Sequence, residues 1–387
     1  MVDCKFDDIR PFSDEEVPSA MDGLLKDPEF EKFRSVVLSG LSSEEFSSYC
    51  RQFVTGKGFK ENVGYMVVNH IVEQSAFSLD ASGRSRLKED KPFTYISNHR
   101  DIILDSAFLN VCLKNIGHRM CQIAIGDNLL KRPWIKTLVK LLGSFIVKRK
   151  PDIREMLHES NKLSSYIRAC ITELDESVWI AQREGRAKDS DDRTQTALLK
   201  MLAMSGEGDL LDRFRELNIV PVSLSYEYDP CDYLKARELQ AKRDNPQYAK
   251  SPMEDLLNMS TGLRGYKGRV HITFGSPLNN VLDGVNKSLP NKQQLEAVAD
   301  LIDREIHRHY RLYPGNYVAL DLLHGDAKYS AHYSEDEKSR FIEYVLRQVH
   351  KIVFEDGMAK DEAFLHQAIL RMYANPVINQ LVSQGVD

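Results

Sequence analysis

Between residues 91 and 274 the chain alternates short apolar runs with longer segments in which apolar residues recur at helical spacing. The short runs predict six strands, over Pro92–Ser97, Cys121–Ile125, Phe145–Lys148, Val178–Ala181, Ile219–Ser225 and Val270–Phe274. Helices fit between several of them, notably over Ile153–Leu174 and Thr194–Ala203. This alternation is typical of an α/β protein with a mostly parallel central sheet flanked by helices.

Both ends of the chain show helical periodicity. Ser82–Asp90 has the composition of a charged linker, and the polar stretch Lys235–Met253 indicates a surface excursion. The last helix is expected to stop before Pro376, because proline cannot continue the hydrogen-bond ladder. We therefore predict an N-terminal helical region over 1–85, an α/β domain over 86–315 and a C-terminal helical extension over 316–387.

Composition narrows the class of protein. The net charge of −5 over 387 residues disfavours a nucleic-acid partner. Six cysteines without a Cys-x-x-Cys pair indicate buried thiols in a reducing cytoplasm and no structural zinc. The acidic N-terminus lacks the apolar core of a secretory signal, and no apolar stretch reaches membrane-spanning length. We expect any contact with a membrane to be peripheral, on its inner face.

The chemistry is expected where the strand Pro92–Ser97 meets the next helix. His99 follows the end of this strand directly, and Asp101 is a good N-cap for the helix. Asp105 is a carboxylate inside an otherwise apolar helical run, so it needs a partner. A histidine held by a carboxylate is a common general base, although a lone His near an Asp in a loop is often only structural.

Three further stretches follow in order. Gly143–Arg149 is a glycine-led strand that ends in Lys148 and Arg149. Val178–Arg186 is a strand that runs into Glu184, Gly185 and Arg186, and Ile219–Leu224 is an apolar strand with a proline. With the His99/Asp105 segment, this ordered set over residues 90–230 resembles the four blocks of the glycerol-3-phosphate and lysophosphatidate acyltransferase superfamily, the glycerolipid acyltransferases.

Two positions depart from the family pattern. The family places four residues between the His and the Asp, whereas five lie between His99 and Asp105. The third block has Gln182 and Arg183 where the family often has Phe-Pro, and Arg186 directly follows Gly185. The resemblance implies His99 as general base, Asp105 as its partner, and Arg149, Glu184, Gly185 and Arg186 as acceptor-binding residues.

The residues fit this chemistry independently of the resemblance. Acyl transfer from a thioester to a hydroxyl needs a base, and the absence of a Gly-x-Ser-x-Gly elbow argues against a serine acyl-enzyme. Backbone N–H groups around Gly143 or Gly185 could stabilise the oxyanion. Arginine suits bidentate phosphate binding, so Arg149 and Arg186, with Lys148 and Arg183 beside them, could bind a phosphate or could be solvated strand ends.

Together with these residues, the resemblance implies an O-acyltransferase that moves a fatty acyl chain from acyl-ACP or acyl-CoA to glycerol-3-phosphate or lysophosphatidate in phospholipid synthesis. The partners are then the carrier-protein or coenzyme A thioester, the glycerophosphate lipid and the membrane surface. No metal or other cofactor is expected, because the thioester is already activated. The alternatives are an aminolipid acceptor, a non-catalytic lipid- or carrier-binding homologue, and a thioester hydrolase.

Two other segments permit two interpretations each. Trp134–Ile146, with Lys136 and Lys140, could be an interfacial helix on a membrane or a core helix with solvated lysines. The pair His307 and His309 could suggest a metal, but no further ligand can be named, so packing or surface histidines are expected.

Overall fold

The computed structural model describes residues 4–87, 91–149, 152, 154–354 and 357–385. Within these ranges, seven strands form one sheet in the order β1-β7-β6-β2-β5-β3-β4. The strands are β1 (Ser78–Ser82), β2 (Thr94–Ser97), β3 (Gln122–Gly126), β4 (Ser144–Val147), β5 (Val178–Ala181), β6 (Ile219–Tyr226) and β7 (Arg269–Phe274). All pairs are parallel except β6 with β7. The α/β class and the six predicted strands are confirmed.

Helices surround this sheet and form both ends of the chain. Before β2 they are α1 (Val17–Leu25), α2 (Pro28–Val37), α3 (Ser43–Cys50), α4 (Gly56–Phe59) and α5 (Tyr65–Ser75), with a π-helical turn Lys60–Gly64 between the last two. Those that alternate with strands are α6 (Leu104–Asn115), α7 (Pro133–Leu141), α8 (Met156–Thr172), α9 (Thr196–Leu202), α10 (Leu210–Glu216), α11 (Asp232–Asp244) and α12 (Pro252–Arg264). After β7 follow α13 (Asn291–Arg308), α14 (Pro314–His324), α15 (Glu335–His350) and α16 (Glu362–Ser383).

The sheet extends beyond the part of the chain where strands were predicted. β1 lies inside residues 1–85, where only helices were expected, and it pairs in parallel with β7. Its sequence, Ser-Leu-Asp-Ala-Ser, contains no β-branched residue, so pairing rather than propensity makes it a strand. The predicted linker Ser82–Asp90 thus begins on a strand, and its residues 88–90 lie outside the described residues, as does Ile153 at the start of a predicted helix.

Two predictions based on polar or breaking residues were wrong. The expected surface excursion Lys235–Met253 contains most of α11, in which Lys235, Glu238 and Gln240 are buried. The charged and amide groups of these residues have partners inside the protein, so this polar stretch of sequence is not an exposed segment. The last helix also runs through Pro376 to Ser383, because its buried side chains pack into the C-terminal apolar cluster. That packing outweighs the loss of one backbone hydrogen bond.

The segment Trp134–Ile146 is divided between α7 and β4. The Trp134 ring packs against Phe30 and Phe33 of α2, with ring centroids 5.9 and 5.1 Å away. Trp134 therefore belongs to the apolar cluster of the N-terminal helices, as in the core-helix interpretation, but Lys140, which that interpretation expected to be solvated, is buried. Five cysteines with described side chains are buried free thiols, as predicted: Cys50, Cys112, Cys121, Cys170 and Cys231.

Candidate active site

The loop that carries His99 is fixed to the sheet by the two residues before it. Asn98 donates from its side-chain amide to the Leu224 carbonyl (2.9 Å), and its Oδ1 accepts the Leu224 N–H (2.8 Å). Ser97 Oγ accepts the indole N–H of Trp179 at 2.9 Å. The side chain of Asn98 thus extends the pairing between β2 and β6 by one residue, and the chain turns immediately after it.

His99 and Asp105 are in direct contact despite their longer spacing. His99 Nδ1 lies 2.8 Å from Asp105 Oδ2. The same oxygen accepts the backbone N–H groups of Arg100 (2.6 Å) and Asp101 (3.0 Å). Tyr226 donates its hydroxyl to the other oxygen at 2.9 Å. Four donors satisfy a carboxylate that is fully buried, which compensates for the cost of removing its charge from water.

The extra residue between His99 and Asp105 is accommodated at the start of α6. Asp101 Oδ1 accepts the N–H groups of Ile103 (2.9 Å) and Leu104 (2.8 Å), so Asp101 caps the helix as predicted. The regular helix begins only at Leu104. Burial and the neighbouring carboxylate of Asp105 raise the pKa of Asp101 above its ordinary value. The chain turns at residues 102–103 before the helix begins, and Asp105 still faces the imidazole.

His99 opens into a cavity of about 1410 Å³ at the carboxyl edge of the sheet. This volume exceeds the roughly 300–1,000 Å³ of a typical small-molecule site. One wall is apolar and comes from α2, α5, α6 and α7, with Phe33, Val67, Ala107, Ile135 and Leu138 among its residues. Among the described residues, ten Lys or Arg and five Asp or Glu side chains also line it, an excess of five positive charges in a chain of net charge −5.

The predicted acceptor residues all line this cavity, but in two groups. Arg149 Nη1 lies 3.6 Å from Glu184 Oε1, which joins the ends of β4 and β5 across β3. Lys148 is already paired, with Glu159 at 2.8 Å and Asp8 at 3.4 Å. These two carboxylates raise the pKa of Lys148. The Arg149–Glu184 pair and the neutralised Lys148 form one side of the charged end of the cavity, here called the polar end.

Arg186 lies on the other side of the polar end, against α12. It is buried and donates from Nη2 to Asn258 Oδ1 at 3.0 Å, while its buried Nη1 has no hydrogen-bond partner among the described residues. Lys188 is close by and pairs with Glu238 at 3.3 Å. Burial and the positive charge of Arg186 lower the pKa of Lys188 to about 8. Arg186 and Lys188 thus bring two cations to this wall of the cavity, and such a wall is suited to an anionic group.

The two glycines proposed for an oxyanion site are on opposite edges of the sheet. Gly185 follows β5, adopts a left-handed backbone conformation (φ +69°) and lines the cavity. Gly143 also has positive φ (+79°), but it precedes β4 and lies against the side chain of Lys60. Because the strands are parallel, the start of β4 is at the edge away from His99. Gly143 is therefore at the edge away from the histidine, whereas Gly185 is at the same edge as His99 and lines the same cavity.

Sequence reasoning missed four functional candidates: Asn98, Lys188, Tyr226 and Lys250. Tyr226 reaches Asp105 across 121 positions of the chain, and nothing in its local sequence indicates that contact. Lys188 lies only two residues beyond Arg186, so the strand-end rule that selected Arg186 could have included it. Lys250 belongs to the segment before α12, whose position over the cavity is a property of the tertiary fold.

The two histidines considered for a metal have other partners. His307 is buried and Nε2 donates to the Asp192 carbonyl at 3.0 Å, while His309 lies 3.5 Å from Glu305. Across the described ranges, no three His, Cys, Asp or Glu side chains are grouped so as to hold a metal ion. In the same ranges, no helix combines the length and the apolar character needed to cross a bilayer.

Comparison with known proteins finds a family model that matches part of the chain. Residues 78–225, which span β1 to β6, match the family model described as Acyltransferase. Among solved structures, the 1-acyl-sn-glycerophosphate (LPA) acyltransferase PlsC from Thermotoga maritima is similar over 74% of this chain and 94% of its own, with 12% identity and a TM-score of 0.34. No curated protein gives a significant match. The residues that match the Acyltransferase model contain the ordered blocks and the His99–Asp105 pair, and they make up less than half of the chain.

Proposed function

We propose that this protein is an acyltransferase, which moves a fatty acyl chain from acyl-CoA or acyl-ACP to a hydroxyl of glycerol-3-phosphate or lysophosphatidate. The observation that carries the proposal is the 2.8 Å contact between His99 Nδ1 and Asp105, in a cavity with both an apolar and a cationic end. The carboxylate holds the proton on Nδ1, so Nε2 is left to accept the proton of the acceptor hydroxyl.

The reaction then proceeds by direct attack. As His99 takes the proton, the hydroxyl oxygen bonds to the thioester carbonyl carbon, and the tetrahedral intermediate releases the thiolate. The imidazolium returns its proton to that thiolate, so the base is regenerated and no other cofactor is required. The open backbone around Gly185 is at the correct edge of the sheet to stabilise the oxyanion.

The two ends of the cavity match the two parts of such substrates. The apolar wall formed by the N-terminal helices is suited to an acyl chain, because burying each methylene contributes about 0.8 kcal/mol. The cationic end is suited to a phosphate. Arg186 is favoured over Lys148 for that phosphate, since two carboxylates already neutralise Lys148 and Arg186 keeps an unpartnered nitrogen among the described residues. Arg149, Glu184 and Gly185 complete the acceptor site.

To reach such lipids, the protein would bind peripherally to the inner face of the membrane, from the cytoplasm. This placement rests on the chemistry of the substrates. It can be measured separately, by sedimentation of the protein with vesicles that contain anionic lipid.

The test is acyl transfer from radiolabelled acyl-CoA and acyl-ACP to glycerol-3-phosphate, to lysophosphatidate and to an acylated amino acid. The wild type is compared with His99→Ala and with His324→Ala, which removes an exposed histidine outside the cavity. We expect a phosphate-containing product that is lost only in His99→Ala. Product from the acylated amino acid alone would name the aminolipid acceptor, and free fatty acid without acceptor would indicate a hydrolase. No turnover by a folded wild type would favour the non-catalytic homologue.

A further inference from the structure

Arg100, the residue after His99, is buried and linked to the candidate catalytic pair through its backbone. Its N–H donates to Asp105 Oδ2 at 2.6 Å, the oxygen that also contacts His99 Nδ1. The peptide between residues 99 and 100 therefore sets the position of the imidazole relative to the carboxylate. Whatever holds Arg100 also determines the geometry of the His99–Asp105 contact.

The Arg100 carbonyl is held by a buried lysine. Lys235 of α11 is 1% exposed, and its Nζ donates to that carbonyl at 2.9 Å. The same ammonium forms an ion pair with Asp229, whose side chain is also buried. A buried lysine needs a counter-charge and hydrogen-bond acceptors, and here the two are Asp229 and the Arg100 backbone.

The C-terminal helix α16 holds the residues that surround this lysine. Tyr373 of α16 accepts the backbone N–H of Asp229 at 3.0 Å and donates its hydroxyl to Asp232 at 2.8 Å. Asp232 is the first residue of α11, three positions before Lys235. One tyrosine thus connects α16 both to the counter-ion of Lys235 and to the start of the helix that carries it.

The same helix also holds the side chain of Arg100, through a second route. The Arg100 guanidinium donates to Ser190 Oγ. Ser190 lies in a segment bound to α16 by the amide of Asn375, which donates to the Asp189 carbonyl at 2.8 Å, and by Asn379, whose Oδ1 accepts from Arg193 at 2.8 Å. The backbone and the side chain of Arg100 are therefore both fixed by groups that α16 positions.

We propose that Lys235 is a positioning residue for His99, and that through it the C-terminal helices set the geometry of the catalytic pair. The catalytic part of this inference rests on the proposed function. Lys235 does not contact the reacting atoms, and its effect is to hold the Arg100 carbonyl. Displacement of a catalytic group by about 1 Å can reduce a rate by about 10²-fold, so a looser loop is expected to lower kcat.

The test variant is the pair Lys235→Met and Asp229→Asn made together. Removing only the lysine would leave a buried, unpaired carboxylate and could unfold the protein. The double variant removes both charges, and the amide introduced at position 229 keeps an oxygen for the Cys231 N–H that Asp229 Oδ1 accepts at 2.9 Å. The matched control is Lys60→Met, which removes another buried lysine whose Nζ donates to a backbone carbonyl, that of Met120, at 3.4 Å.

Two readouts are compared, and one of them does not depend on activity. The first is kcat, KM and the pH profile of kcat/KM, normalised to the folded fraction. We expect the double variant to lose about 10- to 100-fold in kcat with KM nearly unchanged. The acid limb of its profile should move to lower pH, because a displaced Asp105 stabilises the imidazolium less. Lys60→Met should behave as the wild type.

The second readout is the low-field proton NMR signal of His99 Nδ1–H, assigned by its loss in His99→Ala. We expect it to move upfield or disappear in the double variant and to stay unchanged in Lys60→Met. A wild type without acyl transfer, combined with this NMR change, would refute the proposed function and leave the positioning role intact. An unchanged signal in the folded double variant, or unchanged kcat and pH profile in an active one, would overturn the inference about Lys235.

Discussion

Asp105→Asn is the substitution that best isolates the charge of the candidate catalytic pair. In the structure, Oδ2 accepts from His99, from the Arg100 N–H and from the Asp101 N–H, while Oδ1 accepts from Tyr226. Backbone N–H groups can only donate, so the amide oxygen introduced at position 105 must take the place of Oδ2. The amide NH₂ then faces the Tyr226 oxygen, which can accept. The variant is expected to fold with the histidine proton still on Nδ1.

The magnitude follows from the distance between the two groups. At 2.8 Å and an effective dielectric constant of about 20, unit charges on His99 and Asp105 attract by about 6 kcal/mol. Each 1.36 kcal/mol corresponds to a factor of ten in rate, so complete loss of this attraction would reduce kcat by about 10⁴-fold. The amide dipole in the variant retains part of it. We therefore expect a decrease of about 10² to 10⁴.

The assay is steady-state acyl transfer at saturating donor and acceptor, with thermal unfolding measured on the same samples. The matched control is Asp321→Asn, since Asp321 is also buried and also accepts a tyrosine hydroxyl (Tyr333, 2.7 Å) and a backbone N–H (Tyr329, 3.1 Å). It lies on α14, outside the cavity lining, and should keep its activity. If folded Asp105→Asn kept more than about a tenth of the wild-type kcat, the proposed support of the imidazolium would be refuted.

Three further outcomes are expected. Tyr226→Phe leaves Asp105 Oδ1 buried without its hydroxyl donor, so urea unfolding should show a loss of about 1–3 kcal/mol, and kcat should fall less than in Asp105→Asn. Arg186→Gln should raise the acceptor KM by at least about tenfold, which corresponds to about 1.4 kcal/mol in binding. Lys148→Met should change this KM by less than about twofold, because Glu159 and Asp8 neutralise that lysine. Equal effects of the two variants would contradict the assignment of Arg186 to the phosphate. Burial lowers the pKa of His307 from 6.5 to about 4 in the folded state. Between pH 6.5 and pH 4 the unfolded chain therefore binds more protons than the folded chain. The free energy of unfolding consequently falls as the pH falls through this range. Between pH 6.5 and pH 5, the free energy of unfolding should decrease by about 2 kcal/mol more in the wild type than in His307→Gln. Parallel pH curves for the two proteins would show that the burial of His307 does not have this effect.

The parts of the fold that could be predicted depend on local patterns. The strand ends at Ser97 and Ala181 and the cap at Asp101 follow from apolar runs and from the residues that interrupt them. The order of the four blocks was enough to choose His99 and Asp105 despite the extra residue between them. The carboxyl edge of a parallel sheet then brings the ends of β2, β4 and β5 to one cavity.

The parts that were missed depend on partners far away in the chain. β1 has no strand signal of its own, and the antiparallel direction of β7 is not encoded in its alternation. Lys235 was predicted to lie on the surface, because the sequence around it does not show that Asp229 and the Arg100 carbonyl contact its ammonium group. The partners of buried polar groups are set by tertiary contacts, and hydrophobic periodicity indicates such a group only where, like Asp105, it interrupts an apolar run.

The pairing of β1 with β7 affects how this chain can fold during synthesis. Ser78 pairs with Arg269, so β1 leaves the ribosome 191 residues before its partner. At about 5–20 residues per second, this strand waits roughly 10–40 s for the rest of the sheet to be made. An unpaired strand during this interval could associate with other nascent chains. Ser78, Asp80 and Ser82 make β1 polar at every second position, and polar side chains of this kind reduce the tendency of an unpaired strand to aggregate.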